Sequence, residues 1–215
     1  MNIIIASGNK GKLKEFATLF ASVPTMPSRQ FKIIAQSELG IESCEEPAST
    51  FIENAILKAR HACTEARARG HEGAALADDS GLCVEALNGA PGIYSARFAG
   101  MHGRTPVGGQ STDTANIEEL LRQMQDVDAE RRSASFYCAL ALLRHAEDPA
   151  PLVACGRWHG RILTSPSGEA GFGYDPVFHV PDLGKTAAEL SSDQKNAASH
   201  RGQALRLLAL QLPGL

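Results

Sequence analysis

Apolar positions along this chain change spacing from stretch to stretch, and the spacing predicts the elements. Asn2 to Ala6 carries the run Ile3-Ile4-Ile5 and reads as a first strand, with Lys10 to Ala21 as the helix after it. Phe31 to Ala35 reads as a second short strand. Thr50-x-x-Glu53 fits a capping box, Thr50 capping backbone amides and Glu53 reaching back. The helix it starts has apolar residues at Ile52, Ala55, Ile56, Ala59, Ala62, Cys63 and Ala66, a helical period that ends at Gly70. Asn54 and Lys58 fall together on its opposite, polar side. A strand over Ala74–Ala77 follows, with a partner near Cys83–Leu87, then a Gly/Pro-rich stretch from Gly89 to Gly109 and a helix around Ala115–Gln125. Ser133–Leu143 and Leu152–Leu163 read as long strands joined through His145–Pro151 in an antiparallel hairpin. A last amphipathic segment puts Leu205, Leu208 and Leu212 on one stripe. Strands alternating with helices, followed by a hairpin, predict an α/β protein with a mixed sheet flanked by helices. With no internal repeat and no long linker, the expectation is a single domain over residues 1–215, in two lobes.

The most informative stretch is Ala74-Ala75-Leu76-Ala77-Asp78-Asp79-Ser80-Gly81-Leu82-Cys83-Val84. An apolar strand ends in two adjacent carboxylates, where α/β sheets open their clefts. Side chains alternate along a strand, so Asp78 and Asp79 cannot both face the core. A carboxylate turned into a cleft needs a cation or a donor as partner. Mg²⁺ suits this setting, being held by one or two carboxylates plus a substrate's phosphates. Asp-Ser-Gly is also ordinary turn chemistry, so the stretch by itself leaves a turn open.

Composition narrows the classes. Hydrophobic residues at 43%, charged residues at 21% and a net charge of -3 describe an ordinary globular protein without the basic excess of a nucleic-acid binder. The five cysteines are widely spaced with no Cys-x-x-Cys, which argues against a disulfide framework or zinc site and for reduced thiols. Met1-Asn2-Ile3-Ile4-Ile5 lacks the form of a signal peptide, and no apolar run has the length of a membrane span. A cytoplasmic protein without membrane contacts is expected.

Other constellations stand at the element ends. Ser7-Gly8-Asn9-Lys10-Gly11-Lys12 follows the first strand and opens a helix, where free amides and Lys12 favour an anion, although the order is not that of a Walker loop. Ser43-Cys44-Glu45-Glu46-Pro47 places an acidic pair ahead of the capped helix. Gly171-Phe172-Gly173-Tyr174-Asp175-Pro176 sets two aromatics about a glycine, a flat face for a nucleobase or else a strand edge with core aromatics. Lys195-Asn196-Ala197-Ala198-Ser199-His200-Arg201-Gly202 crowds cations, a hydroxyl and an imidazole. On an ideal helix Lys195 and Arg201 do not share a face, so either the segment is irregular or the two reach a ligand from different sides.

In this order, joined by Thr50-Phe51-x-Glu53-Asn54-Ala55-x-x-Lys58-Ala59 and Gly89-Ala90-Pro91-Gly92-x-Tyr94-Ser95-Ala96-Arg97, these motifs resemble the inosine triphosphate pyrophosphatase family from about residue 2 to 212. More narrowly, they look like its bacterial members acting on dITP and XTP. The departure is at Ala99–Thr112, where this chain is longer and rich in Gly, with His102 and Arg104.

The resemblance implies Mg²⁺-dependent hydrolysis of ITP, dITP and XTP between the α- and β-phosphates, which sanitises the nucleotide pool. It implies that Ser7, Gly8, Asn9, Lys10, Gly11 and Lys12 hold phosphates, with Lys58 facing the same group. Glu45 and Asp79 match metal ligands, Asp79 also the proton acceptor for the attacking water, and Ser80 a substrate contact. Phe172 and Tyr174 would stack on the base, with Gly173 and Asp175 in the same loop. Lys195, Ser199, His200 and Arg201 would offer donors to its 6-keto oxygen. A homodimer is also implied. Rival readings are a Maf-like nucleotide pyrophosphatase of other specificity and a nucleotide-binding module without turnover.

Overall fold

The computed structural model describes residues 2–8, 12, 13, 16, 32–106 and 110–212. Its sheet has seven strands in the order β2-β1-β3-β4-β5-β6-β7. These are β1 Asn2–Ile5, β2 Lys32–Ala35, β3 Ala74–Val84, β4 Ser133–Leu143, β5 Leu152–Ile162, β6 Phe178–Val180 and β7 Lys185–Thr186. The helices are α1 Phe51–Ala68, α2 Phe98–Met101, α3 Thr112–Gln123, α4 Ser192–Ala198 and α5 His200–Ala209. β1 runs parallel to β2 and β3, whereas β5, β6 and β7 pair antiparallel, so the sheet is mixed as expected. None of the described helices is long and apolar enough to cross a membrane. Of the expected first helix, Lys12, Leu13 and Phe16 are helical, and its other residues lie outside the described ones, as does Phe31.

The chain divides into two compact units. The first comprises residues 1–79, 138–156 and 200–215, and the second residues 80–137 and 157–199, so three boundaries fall inside β3, β4 and β5 and the fourth between α4 and α5.

In the first unit Ile3, Ile5, Leu76, Leu140, Leu142, Leu205 and Leu208 form the core, while Ile4 is also buried. Strands covered on both faces read as continuous apolar runs, which is why Ile3-Ile4-Ile5 does not alternate. Thr50 caps α1 by accepting from the Glu53 amide at 3.2 Å. The Glu53 carboxylate, expected to reach back to the backbone, instead accepts from the Thr50 hydroxyl at 2.7 Å. Ala55, Ala59, Ala62 and Ala66 of α1 are buried, and Arg60 Nε donates to the Ala146 carbonyl at 3.0 Å, holding the β4–β5 connection. At Gly156 a Cβ would strike the His200 carbonyl, and it would stand 2.8 Å from the Ala204 amide. Only glycine lets α5 come this near to β5.

In the second unit Leu82, Val84, Phe98, Leu120, Trp158 and Tyr174 surround an aromatic pair, Phe136 and Phe178, with ring centroids 4.5 Å apart. Ser111 caps α3 by accepting from the Thr114 amide at 3.1 Å. The guanidinium of Arg132, though buried, donates to the carbonyls of Ile162 and Met124, each at 2.8 Å, which offsets part of the cost of enclosing its charge; burial still lowers its pKa.

β3 corrects one expectation. Ala74 to Val84 is one unbroken strand, so Asp78, Asp79 and Ser80 are strand residues and not a turn between two partners.

Candidate functional site

Continuity of β3 separates the two acids. Asp78 and Asp79 are both buried, yet they meet different partners, as alternation along a strand requires. Lys12 Nζ lies 2.7 Å from Asp78 Oδ2, and Arg201 Nε lies 3.7 Å from the same oxygen. Burial would raise the Asp78 carboxyl, but the charges of Lys12, Lys58 and Arg201 outweigh it and hold the group well below the carboxylate range. Asp78 is therefore ionised at any working pH, the anchor of a cluster of cations.

Asp79 has the opposite character. Its Oδ2 accepts from Asn54 Nδ2 at 3.1 Å, and its Oδ1 lies 3.9 Å from Lys58 Nζ. Burial pushes its pKa up to about 6, with the negative charge of Glu46 adding to the rise and Lys58 and Asn54 opposing it. A carboxyl poised there is mostly ionised at neutral pH while remaining a useful proton acceptor.

Of the acidic pair ahead of α1, the structure brings Glu46 and not Glu45 to this cluster. Glu46 Oε1 is 3.2 Å from Lys58 Nζ, whereas Glu45 is exposed. Asn54 and Lys58, assigned by their polarity to the outer side of α1, face the cluster instead: Asn54 is 1% exposed and the Lys58 side chain 13%. Asn54 is buried because both ends of its amide are bonded, Nδ2 to Asp79 and Oδ1 to the Ala48 amide at 3.0 Å. Sequence reasoning missed it as a site residue. The signal available was a polar pair one helical turn apart beside a motif already read as chemical.

Ser7 is buried at the end of β1, and Gly8 follows it, where a Cβ would stand 3.1 Å from Ser43 Oγ. Asn9, Lys10 and Gly11 lie outside the described residues. Ser80 is half-buried in β3 directly after Asp79. Among the described residues no group of three or more His, Cys, Asp or Glu side chains is arranged to hold a metal ion. Two carboxylates, Glu46 and Asp79, share a single lysine; such a pair suits Mg²⁺, which takes one or two protein carboxylates and fills its octahedron with phosphates and water.

The second unit holds the aromatic loop. Phe172 is half-buried, and Lys195 Nζ stands 4.8 Å from its ring centroid. Lys195 also lies 2.6 Å from Asp175 Oδ2, and that oxygen accepts the Phe172 amide at 2.8 Å. Asp175 therefore works inside the loop. Gly171 has φ +84°, and a Cβ there would strike the Asp175 carboxylate, so any other residue would be strained and would displace that carboxylate. Tyr174 departs from the stacking expectation. It is 3% exposed, belongs to the core cluster, and donates its hydroxyl to the Ser95 carbonyl at 2.9 Å. Burial and the nearby Asp113 charge keep that phenol protonated. Of the two aromatics, Phe172 alone stands outside the core.

Lys195 and Arg201 belong to different helices. α4 ends at Ala198, Ser199 is extended at φ -63° and ψ 156°, and α5 begins at His200, so the segment is irregular, one of the two alternatives the spacing left open. Ser199, His200 and Arg201 are buried. Arg201, expected among the donors to a base, has its guanidinium beside Asp78.

Along nearly its whole length the chain is similar to known proteins. A family model described as the Ham1 family matches residues 3–211. A protein of Yersinia pseudotuberculosis named dITP/XTP pyrophosphatase is 54% identical over 206 residues, covering 96% of this chain and 95% of that protein. Its counterpart of the same name in Escherichia coli strain K12 is 51% identical with the same coverage. Among solved structures, a HAM1 protein from Coxiella burnetii matches with a TM-score of 0.84 at 44% identity and covers 100% of both chains. A Mycobacterium abscessus structure described as a nucleoside-triphosphatase or dITP/XTP pyrophosphatase matches at 0.72 and 38% identity, with 97% of both chains covered.

Proposed function

The chain belongs to the Ham1 family, and we propose that it hydrolyses the non-standard purine nucleotides ITP, dITP and XTP to monophosphate and pyrophosphate. The observation that carries this is the 54% identity over 96% of the chain to a protein named for the activity. The residue clusters supply a physical account of it.

Lys12, Lys58 and Arg201, gathered around Asp78, form the positive surround that a triphosphate requires. Ser7, Gly8, Asn9, Lys10 and Gly11 add amides and a hydroxyl for the same phosphates. Asp79 accepts the proton of the attacking water as the α–β phosphoanhydride bond breaks, and Asn54 holds the carboxylate in place. Glu46 and Asp79 would hold Mg²⁺; Glu46 takes the role that the family resemblance suggested for Glu45. Bound there, the ion would screen the triphosphate charge and polarise its oxygens. Ser80 is a further substrate contact.

Phe172 stacks on the base, and Lys195, Ser199 and His200 offer donors to its 6-keto oxygen. An adenine 6-amino group would leave such donors unpaired, a mismatch that sites of this kind penalise by ~10⁴-fold or more. The chain functions as one domain, in the cytoplasm, as a homodimer without a nucleic-acid partner.

A substrate panel tests the proposal. With Mg²⁺, ITP, dITP and XTP should give pyrophosphate well ahead of ATP. Orthophosphate as first product, equal turnover of ATP, or binding without turnover would overturn it. Light scattering of the purified protein tests the dimer.

A further inference from the structure

We propose that Asp113, in the first turn of α3, is a positioning residue for base recognition: its carboxylate holds the Gly173 amide and fixes the loop that presents Phe172. This rests on the reading of residues 172–175 as the base-binding loop. Asp113 Oδ2 accepts the Gly173 N–H at 2.7 Å, across sixty residues of chain. Asp175 Oδ2 accepts the preceding N–H, that of Phe172, at 2.8 Å. Consecutive amides on either side of the stacking residue are thus gripped by separate carboxylates. The loop needs such grips, because Gly171 and Gly173 both have positive φ, +84° and +61°, and glycine imposes little conformation of its own. Charge-assisted bonds of this kind are about twice as strong as neutral ones.

The support under Asp113 is firm. Asn116, one turn along α3, is buried and accepts the Ala99 amide at 2.8 Å while donating to the Ala96 carbonyl at 3.2 Å. The Ser111 cap fixes the start of the helix. Asp175 has two demands on one oxygen, the Phe172 amide and Lys195. Asp113 therefore supplies the loop with a grip that does not compete with Lys195.

The experiment compares Asp113→Ala and Asp113→Asn with the parent by steady-state kinetics on dITP and XTP with Mg²⁺, and by hydrogen exchange of residues 171–175 in nucleotide-free protein. Asp113→Ala should raise KM for both substrates about tenfold and leave kcat within about twofold. It should also speed exchange across the loop about tenfold or more. Asp113→Asn keeps an acceptor oxygen and should restore most of both. Unchanged KM, a fall in kcat alone, or unchanged exchange would each overturn the proposal. Should the alanine variant not fold, Asp113→Ser, too short to reach the amide, takes its place. If the parent releases no pyrophosphate from dITP, the assigned function fails, and the exchange arm still decides whether Asp113 holds the loop.

Discussion

The surroundings of Asp79 raise its affinity for a proton, and those same surroundings make it a liability to the empty fold. Its ordinary pKa is 3.8, and burial raises it to about 6. Below pH 3.8 folded and unfolded chains are both protonated there, and the group is neutral to stability. Between 3.8 and about 6 the unfolded chain ionises first, so stability declines; above that the penalty is constant, at most about 3 kcal/mol. Asp79→Asn removes it. We expect this variant to melt higher than the parent at about pH 7.5 but not at about pH 3.5, while turnover falls ~10²–10⁴-fold. Near-normal turnover would transfer the proton-accepting role elsewhere. Glu46 and Glu45 give a second test at this scale. Glu46→Gln should raise the Mg²⁺ concentration needed for half activity by tenfold or so, and Glu45→Gln should barely move it. The sequence could not choose between these neighbours, because nothing local sets the phase of an extended loop. Asn54 was hidden for a related reason: its burial is decided by Asp79 and Ala48, neither on its own helix.

At the scale of elements, α3 ties down more chain than its amphipathic pattern suggested. Asp113, Asn116 and Glu119 follow at intervals of one turn and bind the Gly173 amide, the Ala96–Ala99 backbone and Arg104. The Gly-rich stretch Met101–Ser111, which has almost no large apolar residue to anchor it, is pinned at its start by charge. Glu119 Oε2 lies 3.0 Å from Arg104 Nε, and Oε1 lies 4.0 Å from His102 Nδ1. Residues 107–109 are outside the described ones. The anchor was illegible because a buried glutamate on a helix reads as a surface residue until its cations are in place. Hydrogen bonds from Arg122 lower the Glu119 pKa to about 2, with burial opposing. The stability this contributes is present above the usual glutamate range near 4.5 and is lost as pH falls towards 2. Glu119→Gln should cost about 1–3 kcal/mol at neutral pH, less than a sealed ion pair because its arginines are partly solvated. The deficit should shrink in acid, as urea unfolding at two pH values would reveal. A variant equally stable at both would show the cluster to be idle.

For the whole molecule, the α/β class, the long hairpin strands and the mixed sheet were legible, since they follow from apolar spacing alone. Two lobes were expected, but which stretches of chain make up each unit was not legible. Each unit is assembled from separate stretches of chain, and the boundaries cut through the continuous strands β3, β4 and β5 and fall between the adjoining helices α4 and α5, so no linker marks them. Arg201 shows the same limit. Its neighbours in sequence suggested the base, yet its guanidinium lies beside Asp78, more than a hundred residues earlier in the chain. A catalogue of motifs gives the chemistry present but not which partner each group meets.

Lys58, standing between Glu46 and Asp79, carries one more consequence. The protein brings its own cation to the place where a metal would sit, so part of the repulsion between the two acids is offset without the ion. Folding should thereby be independent of metal loading, in contrast to small domains that collapse only around an ion. Treatment with a chelator should abolish pyrophosphate release and shift the melting temperature by only a few degrees. Adding Mg²⁺ back should restore turnover within the mixing time, with no refolding step. Loss of structure on chelation, followed by slow recovery, would show that the ion and not the lysine holds these acids together. With Lys58 in place, the metal of the proposed reaction would be an exchangeable reagent, free to arrive with each nucleotide and leave with each product.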